Sequence, residues 1–438
     1  MTTRESDVII RLIRGLDVRL ARAARRFAPL VLASSVALAS ADAQESRPLP
    51  AALVTSAGAR VTTPAIWRAT RRPELLRLFE QEIYGRSRVG KPAQLRFVLR
   101  EEKRDARGGR ATRLRVGVLF EGVETGRQME LLVYLPNQVR GRVPLFLGLN
   151  FDGNYSTTPE PDLPLPAHFA SGLFKNKVWE HRPAETGRGI HAYMWPYDTI
   201  LARGYGIATA AYGEIEPDMP GGHWRDGPRG LGPPPGATDW GAIGAWAWGM
   251  RRAMDYLETN PRVDAKRVAL FGFSRIGKAA MWAGAQDERF AMVISQESGK
   301  GGVSLSTHAG GEPIAHLVND LGHWFAPSFA KYAGRESALP VDGHELAALV
   351  APRPLLVLSG TTDAYSDPEG EFLSALAADP VYRMLGTDGL AATTWPPPGK
   401  LIASTIGYYL RAGGHDVTLE DWQATLLFAD QHLSRRRD

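Results

Sequence analysis

Val268-Ala-Leu-Phe-Gly-Phe-Ser-Arg-Ile-Gly-Lys-Ala-Ala280 carries an apolar strand into a glycine-flanked serine and then directly into a helix of small residues. A strained strand-to-helix turn of this kind presents a serine hydroxyl as a nucleophile. Ser274 is expected at its tip. Gly272 and Gly277 are expected where a Cβ would crowd the neighbouring strand or helix, and Ala279 and Ala280 let the helix lie close on a sheet. The elbow is a variant of G-x-S-x-G, because Ile276 holds the second-glycine position and Gly277 comes one residue late. The same residues also read as G-x-x-x-x-G-K, but Ala279 follows the lysine where a phosphate-binding loop needs a hydroxyl for magnesium.

Outward from the elbow, the chain alternates strands and helices. Pro73 to Tyr84 has apolar residues at helical spacing and stops at Gly85, after an extended lead-in from 44 to about 72. Strands are expected at Gln94 to Arg100, Ala111 to Leu119 and Met129 to Leu135. They enter a sheet antiparallel, the last two joined by a hairpin-like turn at Glu121 to Gly126. Val143 to Asn150 and Ile207 to Ala211 are nearly all apolar, as strands buried on both faces are. Between them a Pro-rich, aperiodic stretch runs to about Pro196, and loops that long are usually functional. A helix from Trp240 carries Ile243, Trp246, Ala247, Met250, Met254 and Leu257 on one stripe, with Trp246 and Trp248 read as packing residues. Ala291 to Ser295 and Pro354 to Ser359 are further apolar runs with polar ends, and a last helix starts near Thr418. The fold class is α/β: an α/β-hydrolase fold, its mostly parallel central sheet covered by helices on both faces and interrupted by long loop insertions.

A hydrophobic fraction of 44% and a charged fraction of 23% over 438 residues describe a globule able to bury a large core. Arg19, Arg22, Arg25 and Arg26 precede the apolar run Phe27 to Ala39, and Ala41-Asp-Ala43 has the small-x-small form of a processing site. Residues 1–43 therefore read as a secretory signal with cleavage before Gln44, and 44–438 as a single catalytic domain. The alternatives are an amphipathic helix or a membrane anchor, but the run is shorter than the roughly twenty residues that span a bilayer. Arg25-Arg26-Phe27 suggests twin-arginine export. The signal holds seven Arg and four acids, so the formal +5 falls to +2 on its removal. Nothing there calls for a nucleic-acid partner. The mature chain is read as a periplasmic or secreted monomer, free of the membrane, and the absence of cysteine leaves it without disulfides.

In an open parallel sheet the chemistry gathers at the carboxyl ends of the strands. Ser274 ends one strand, Glu297 the next, and Asp363 follows the one after. His415, in Gly413-Gly-His-Asp416, precedes the final helix. The order serine, acid, histidine is that of the hydrolases. A serine alcohol is a poor nucleophile until an imidazole takes its proton, and a carboxylate holds that imidazole in the right tautomer. His415 is the expected base, and either Glu297 or Asp363 can supply the acid. Arg275 offers the backbone N–H that follows the nucleophile, and its guanidinium offers a further donor to an oxyanion. Lys278, one helical turn beyond Ser274, faces the same side as a candidate substrate contact. His344-Glu345 lacks a second histidine at position 348, and His308, His316 and His323 suit no common ligand set. No metal and no cofactor is expected.

These residues resemble the glucuronoyl esterases, carbohydrate esterase family 15. The likeness is carried by Gly272-Phe-Ser-Arg-Ile-Gly-Lys278, Gln296-Glu-Ser-Gly-Lys-Gly-Gly302, His323-Trp-Phe325 and Gly414-His415, with Ala202 to Gly206, Tyr212 to Asp218 and Asp363 to Pro368. It spans roughly residues 65 to 433. It implies cleavage of the ester between 4-O-methyl-glucuronic acid on xylan and lignin alcohols, with Ser274 as nucleophile, His415 as base, Glu297 as acid and Arg275 at the oxyanion. By the same likeness Lys278 and Glu312 hold sugar hydroxyls, Trp324 and Tyr365 complete the substrate contacts, and Asp363 is a second acid. Tyr365 stands where many members have Trp, and Tyr155 where His is frequent. The competing expectations are a carboxylesterase for acetyl or other simple esters and a non-catalytic polysaccharide binder.

Overall fold

Strict alternation along the central strands decides the architecture. On β4 (Val143–Asn150), Leu145, Leu147 and Leu149 join one apolar cluster while Phe146 joins another; on β8 (Val263–Phe273), Val268 and Leu270 go one way and Ala269, Phe271 and Phe273 the other. A period of two puts successive side chains on opposite faces, so each strand feeds two cores at once. The structure is a computed structural model that describes residues 49–166, 170–174, 177–181 and 183–433. The signal expected at 1–43 and its cleavage point lie outside the described residues.

The remaining strands are β1 (Arg96–Ala106), β2 (Ala111–Leu119), β3 (Gln128–Pro136), β5 (Ala170–Phe174), β6 (Lys177–His181), β7 (Gly206–Ala211), β9 (Met292–Gln296), β10 (Leu355–Gly360), β11 (Ile402–Ala403) and β12 (Ile406–Arg411). Among the described residues one ten-stranded sheet runs β1-β2-β3-β7-β4-β8-β9-β10-β12-β11. Its centre, from β7 through β12, is parallel, and both margins are antiparallel. The helix Ala242–Leu257 precedes β8, Arg275–Gln286 links β8 to β9, and Pro368–Met384 links β10 towards β12. The expected fold class therefore stands.

Three expectations need correction. The first helix begins at Pro64, not Pro73, and winds through short π segments to Tyr84. Thr63 caps it by accepting from the Ile66 N–H, and Pro64 fits the first turn, where its missing N–H costs nothing. β1 runs on to Ala106, beyond the expected Arg100, because an exposed edge strand is written in charges instead of apolar residues. The stretch expected to be aperiodic up to Pro196 contains the antiparallel pair β5–β6 and several 3₁₀ turns.

Candidate active site

The turn after β8 holds Ser274 at φ 57°, ψ −128°, a backbone region sparsely populated by residues other than glycine. The fold enforces it from both sides. A Cβ on Gly272 would lie 2.3 Å from the Ile276 carbonyl oxygen, and one on Gly277 would lie 2.9 Å from Ser298 Cβ. The Ser274 N–H donates to the Gln296 carbonyl at 2.9 Å, tying the turn to the end of β9. A phosphate-binding loop is not formed here, because the Lys278 ammonium turns inward to the Ser298 carbonyl.

From Ser274 a continuous chain of hydrogen bonds crosses three strand ends. Its Oγ lies 2.8 Å from His415 Nε2, and His415 Nδ1 lies 2.6 Å from Asp363 Oδ2 and 3.2 Å from Glu297 Oε2. Both candidate acids thus meet the same ring nitrogen, which donates while Nε2 is left to accept the serine proton. Asp363 also accepts from Ser366 Oγ at 2.5 Å and from the N–H groups of Tyr365 and Ser366. Glu297, at φ 50°, is gripped by Arg411 Nη2 and by the Asp416 N–H, each at 3.0 Å.

Burial and charge set the proton affinities. Burial opposes ionisation of Asp363, but its bonds to His415, Ser366 and the Tyr365 N–H outweigh it and hold the carboxyl at about 2. Burial wins at Glu297 and pushes it up to about 7, against the pull of His415 and Arg411. His415 loses charge to burial yet is raised to about 9 by Asp363 first and Glu297 second.

The hydroxyl and imidazole open into a cavity of about 240 Å³ lined by Arg275, Lys278, Glu312, Trp324 and Tyr365. Larger hollows near Arg100 and near Arg127 have no serine in their lining. Arg275 pairs with Asp218 at 2.5 Å and lies over the Trp324 ring, 4.8 Å from its centroid. Lys278 is buried and its ammonium pushed down by desolvation, with Glu312 resisting. Glu312 reaches His316 at 3.1 Å, and His316 reaches Asp320 at 2.7 Å. Tyr365 stands at the mouth, 46% exposed, its ring 6.2 Å from that of His415. Tyr155, by contrast, is buried.

Sequence reasoning missed three residues around this cavity. Asp218 follows β7 and Arg411 ends β12, so the strand-end rule that found the others marks them too. His316 is on a helix, Ile314–Leu321, that was not foreseen, and its spacing of four from both Glu312 and Asp320 is the available signal. Glu297, Asp363 and His415 are also the one group among the described residues whose donor atoms gather closely enough for a metal, within 4.8 Å of one another. In this structure the imidazole nitrogen between them is hydrogen-bonded to Asp363 and lies 3.2 Å from Glu297 Oε2.

A hydroxyl at a strained strand–helix turn, an imidazole from the last strand-to-helix junction and carboxylates at adjacent strand ends define an α/β-hydrolase equipped for carboxylic ester hydrolysis. The family model described as "Glucuronyl esterase, fungi" matches residues 235–386. A carbohydrate esterase, MZ0003, from an unknown prokaryotic organism is 43% identical over 392 residues, covering 88% of this chain and 90% of that protein. The solved structure of a glucuronoyl esterase from Solibacter usitatus superposes with a TM-score of 0.82 at 42% identity, over 88% of this chain and 98% of that one. A promiscuous CE15 esterase from a marine bacterial metagenome gives 0.81 at 43%, over 88% and 97%. The chain belongs to carbohydrate esterase family 15.

Proposed function

We propose that this chain hydrolyses esters of glucuronic acid, including its 4-O-methyl form on xylan, by way of an acyl-enzyme on Ser274. The observation that carries the reading is the unbroken hydrogen-bond chain from Ser274 through His415 to Asp363, with Glu297 3.2 Å from the same ring nitrogen, opening beside two cations, Arg275 and Lys278. Nε2 of His415 removes the hydroxyl proton as Oγ attacks the ester carbonyl, and the imidazolium then returns that proton to the departing alcohol. Water attacks the acyl-enzyme with the same base, releasing the uronic acid and restoring Ser274. Negative charge on the tetrahedral oxygen falls beside the Arg275 guanidinium and backbone N–H. Lys278 and Glu312 complement a pyranose ring, one as donor and one as acceptor for hydroxyls, and Trp324 forms the wall.

Methyl or benzyl glucuronate tests the reading directly. Wild type releases acid, and Ser274→Ala lowers the rate by about 10⁴-fold or more. Unchanged release by that variant refutes it. Acetyl esters are the second reading, favoured by the half-exposed Tyr365 at the mouth and by the promiscuity ascribed to one relative. Acetyl turnover far above uronate turnover selects it.

The leader at 1–43 supports export to the periplasm or beyond. Among the described residues no helix is long and apolar enough to cross a membrane. The mass of the exported chain, beginning at Gln44, is the check.

A further inference from the structure

Asp218 is a fully buried carboxylate behind the cavity, and four donors converge on it. Oδ2 accepts from Arg275 Nη1 at 2.5 Å and from the Tyr212 hydroxyl at 2.9 Å. Oδ1 accepts from His323 Nε2 at 2.7 Å and from Trp324 Nε1 at 2.6 Å. Two of these partners, Arg275 and Trp324, line the cavity itself. The Arg275 Nε is buried with no hydrogen-bond partner, so the direction of the guanidinium rests on the Nη1 bond and on its stacking between Trp324 and Phe151.

We infer that Asp218 is a positioning residue for the ester reaction: it fixes the Arg275 guanidinium beside Ser274, where the oxyanion forms. The inference rests on the role given to Arg275 under the proposed function. An arginine side chain has four rotatable bonds, and a donor that must settle during the reaction stabilises the transition state less than one held in place beforehand. Desolvating a guanidinium is costly unless a carboxylate faces it, and Asp218 meets that cost with both oxygens fully used.

The chemistry of an amide makes the inference testable. Asparagine at 218 keeps the shape but turns one oxygen into a donor. On the Oδ1 side that donor would face the Trp324 indole N–H, which cannot accept, and His323 Nε2, which accepts in its other tautomer. On the Oδ2 side it would face Arg275 Nη1, which cannot accept, and the Tyr212 oxygen, which can. In either placement Asp218→Asn removes the carboxylate charge, and the bond to the charged Arg275 loses most.

The experiment is a double-mutant cycle in the full-length chain with benzyl glucuronate, with thermal unfolding confirming that each variant is folded. Asp218→Asn is expected to lower kcat about 10- to 100-fold, short of the ~100- to 1000-fold lost when an oxyanion donor is removed outright. KM is expected to stay within about 3-fold, because the wall contacts persist. In an Arg275→Ala background the same substitution should change kcat by no more than about 2-fold. Equal losses in both backgrounds overturn the inference and leave Asp218 a general packing residue. A lack of any kcat loss in Arg275→Ala alone refutes the reading of Arg275, and the inference with it. If Asp218→Asn does not fold, Tyr212→Phe replaces it: a kcat loss of about 5-fold that vanishes in the Arg275→Ala background supports the inference, and an equal loss in both overturns it.

Discussion

The ends of β9 and β10 each deliver a carboxylate to the same nitrogen of His415, but in opposite electrical conditions. Both side chains are fully buried, but Asp363 is wrapped by hydroxyl and N–H donors that favour its charged form, whereas at Glu297 desolvation dominates. Two carboxylates on one imidazole are not interchangeable: the one with the denser set of donors stays ionised, and the other is biased towards holding a proton. Glu297 is joined instead to Arg411, which also donates to the carbonyls of Gly414 and Asp416 on either side of His415. We propose that Asp363 supplies charge to the histidine, while Glu297 with Arg411 places its loop.

The comparison breaks most visibly at Asp363. Asp363→Asn should lower kcat on a glucuronate ester by about 10²- to 10³-fold, less than the ~10⁴ lost where a triad has a single carboxylate, because Glu297 still reaches Nδ1. Glu297→Gln should cost about 10-fold. A larger loss for Glu297→Gln than for Asp363→Asn reverses the assignment.

The pH profile offers a finer test. Under the proposed function His415 must be neutral to accept the serine proton, and both carboxylates raise it to about 9. Wild-type kcat/KM should therefore keep rising as pH climbs past the ordinary imidazole range and level off near 9. Removing the negative charge of Asp363 weakens the imidazolium, so in Asp363→Asn that limb should move about 1 to 2 units towards acid. A limb that stays put in this variant, or that lies near 6.5 in the wild type, contradicts the electrostatic account.

This division of labour was only partly legible in the sequence. The elbow reads plainly, because a glycine-flanked serine between an apolar strand and a run of alanines has few other uses, and Ser274 does adopt the strained turn. The order of Ser274, the two acids and His415 follows from strand ends, which periodicity locates to within a residue or two. Spacing says nothing of depth or of how many donors surround a carboxylate, so Glu297 and Asp363 look alike until their neighbours are seen. The strand-end rule places Asp218 and Arg411 near the site but does not reveal what they hold, for a related reason. Their partners are remote in sequence, 57 residues away for Arg275 and 114 for Glu297. Helices at the cavity rim escaped as well, since Ile314–Leu321 is short and follows glycines that read as loop.

The smallest expected effect isolates Tyr365, which contributes to both sides of the comparison through different atoms. Its backbone N–H donates to Asp363 at 2.9 Å, whereas its ring stands at the cavity mouth. Replacing the ring leaves the N–H in place. Tyr365→Trp should therefore leave kcat and the pH limb unchanged and act on binding alone, where a broader aromatic face against a sugar or an alcohol is worth about 0.5–1.5 kcal/mol, or roughly 2- to 10-fold in KM. A change in kcat with constant KM would mean that the ring, and not the chain behind it, steadies Asp363. The charge on His415 would then depend on a half-exposed side chain, and its pH limb should shift whenever substrate covers the mouth.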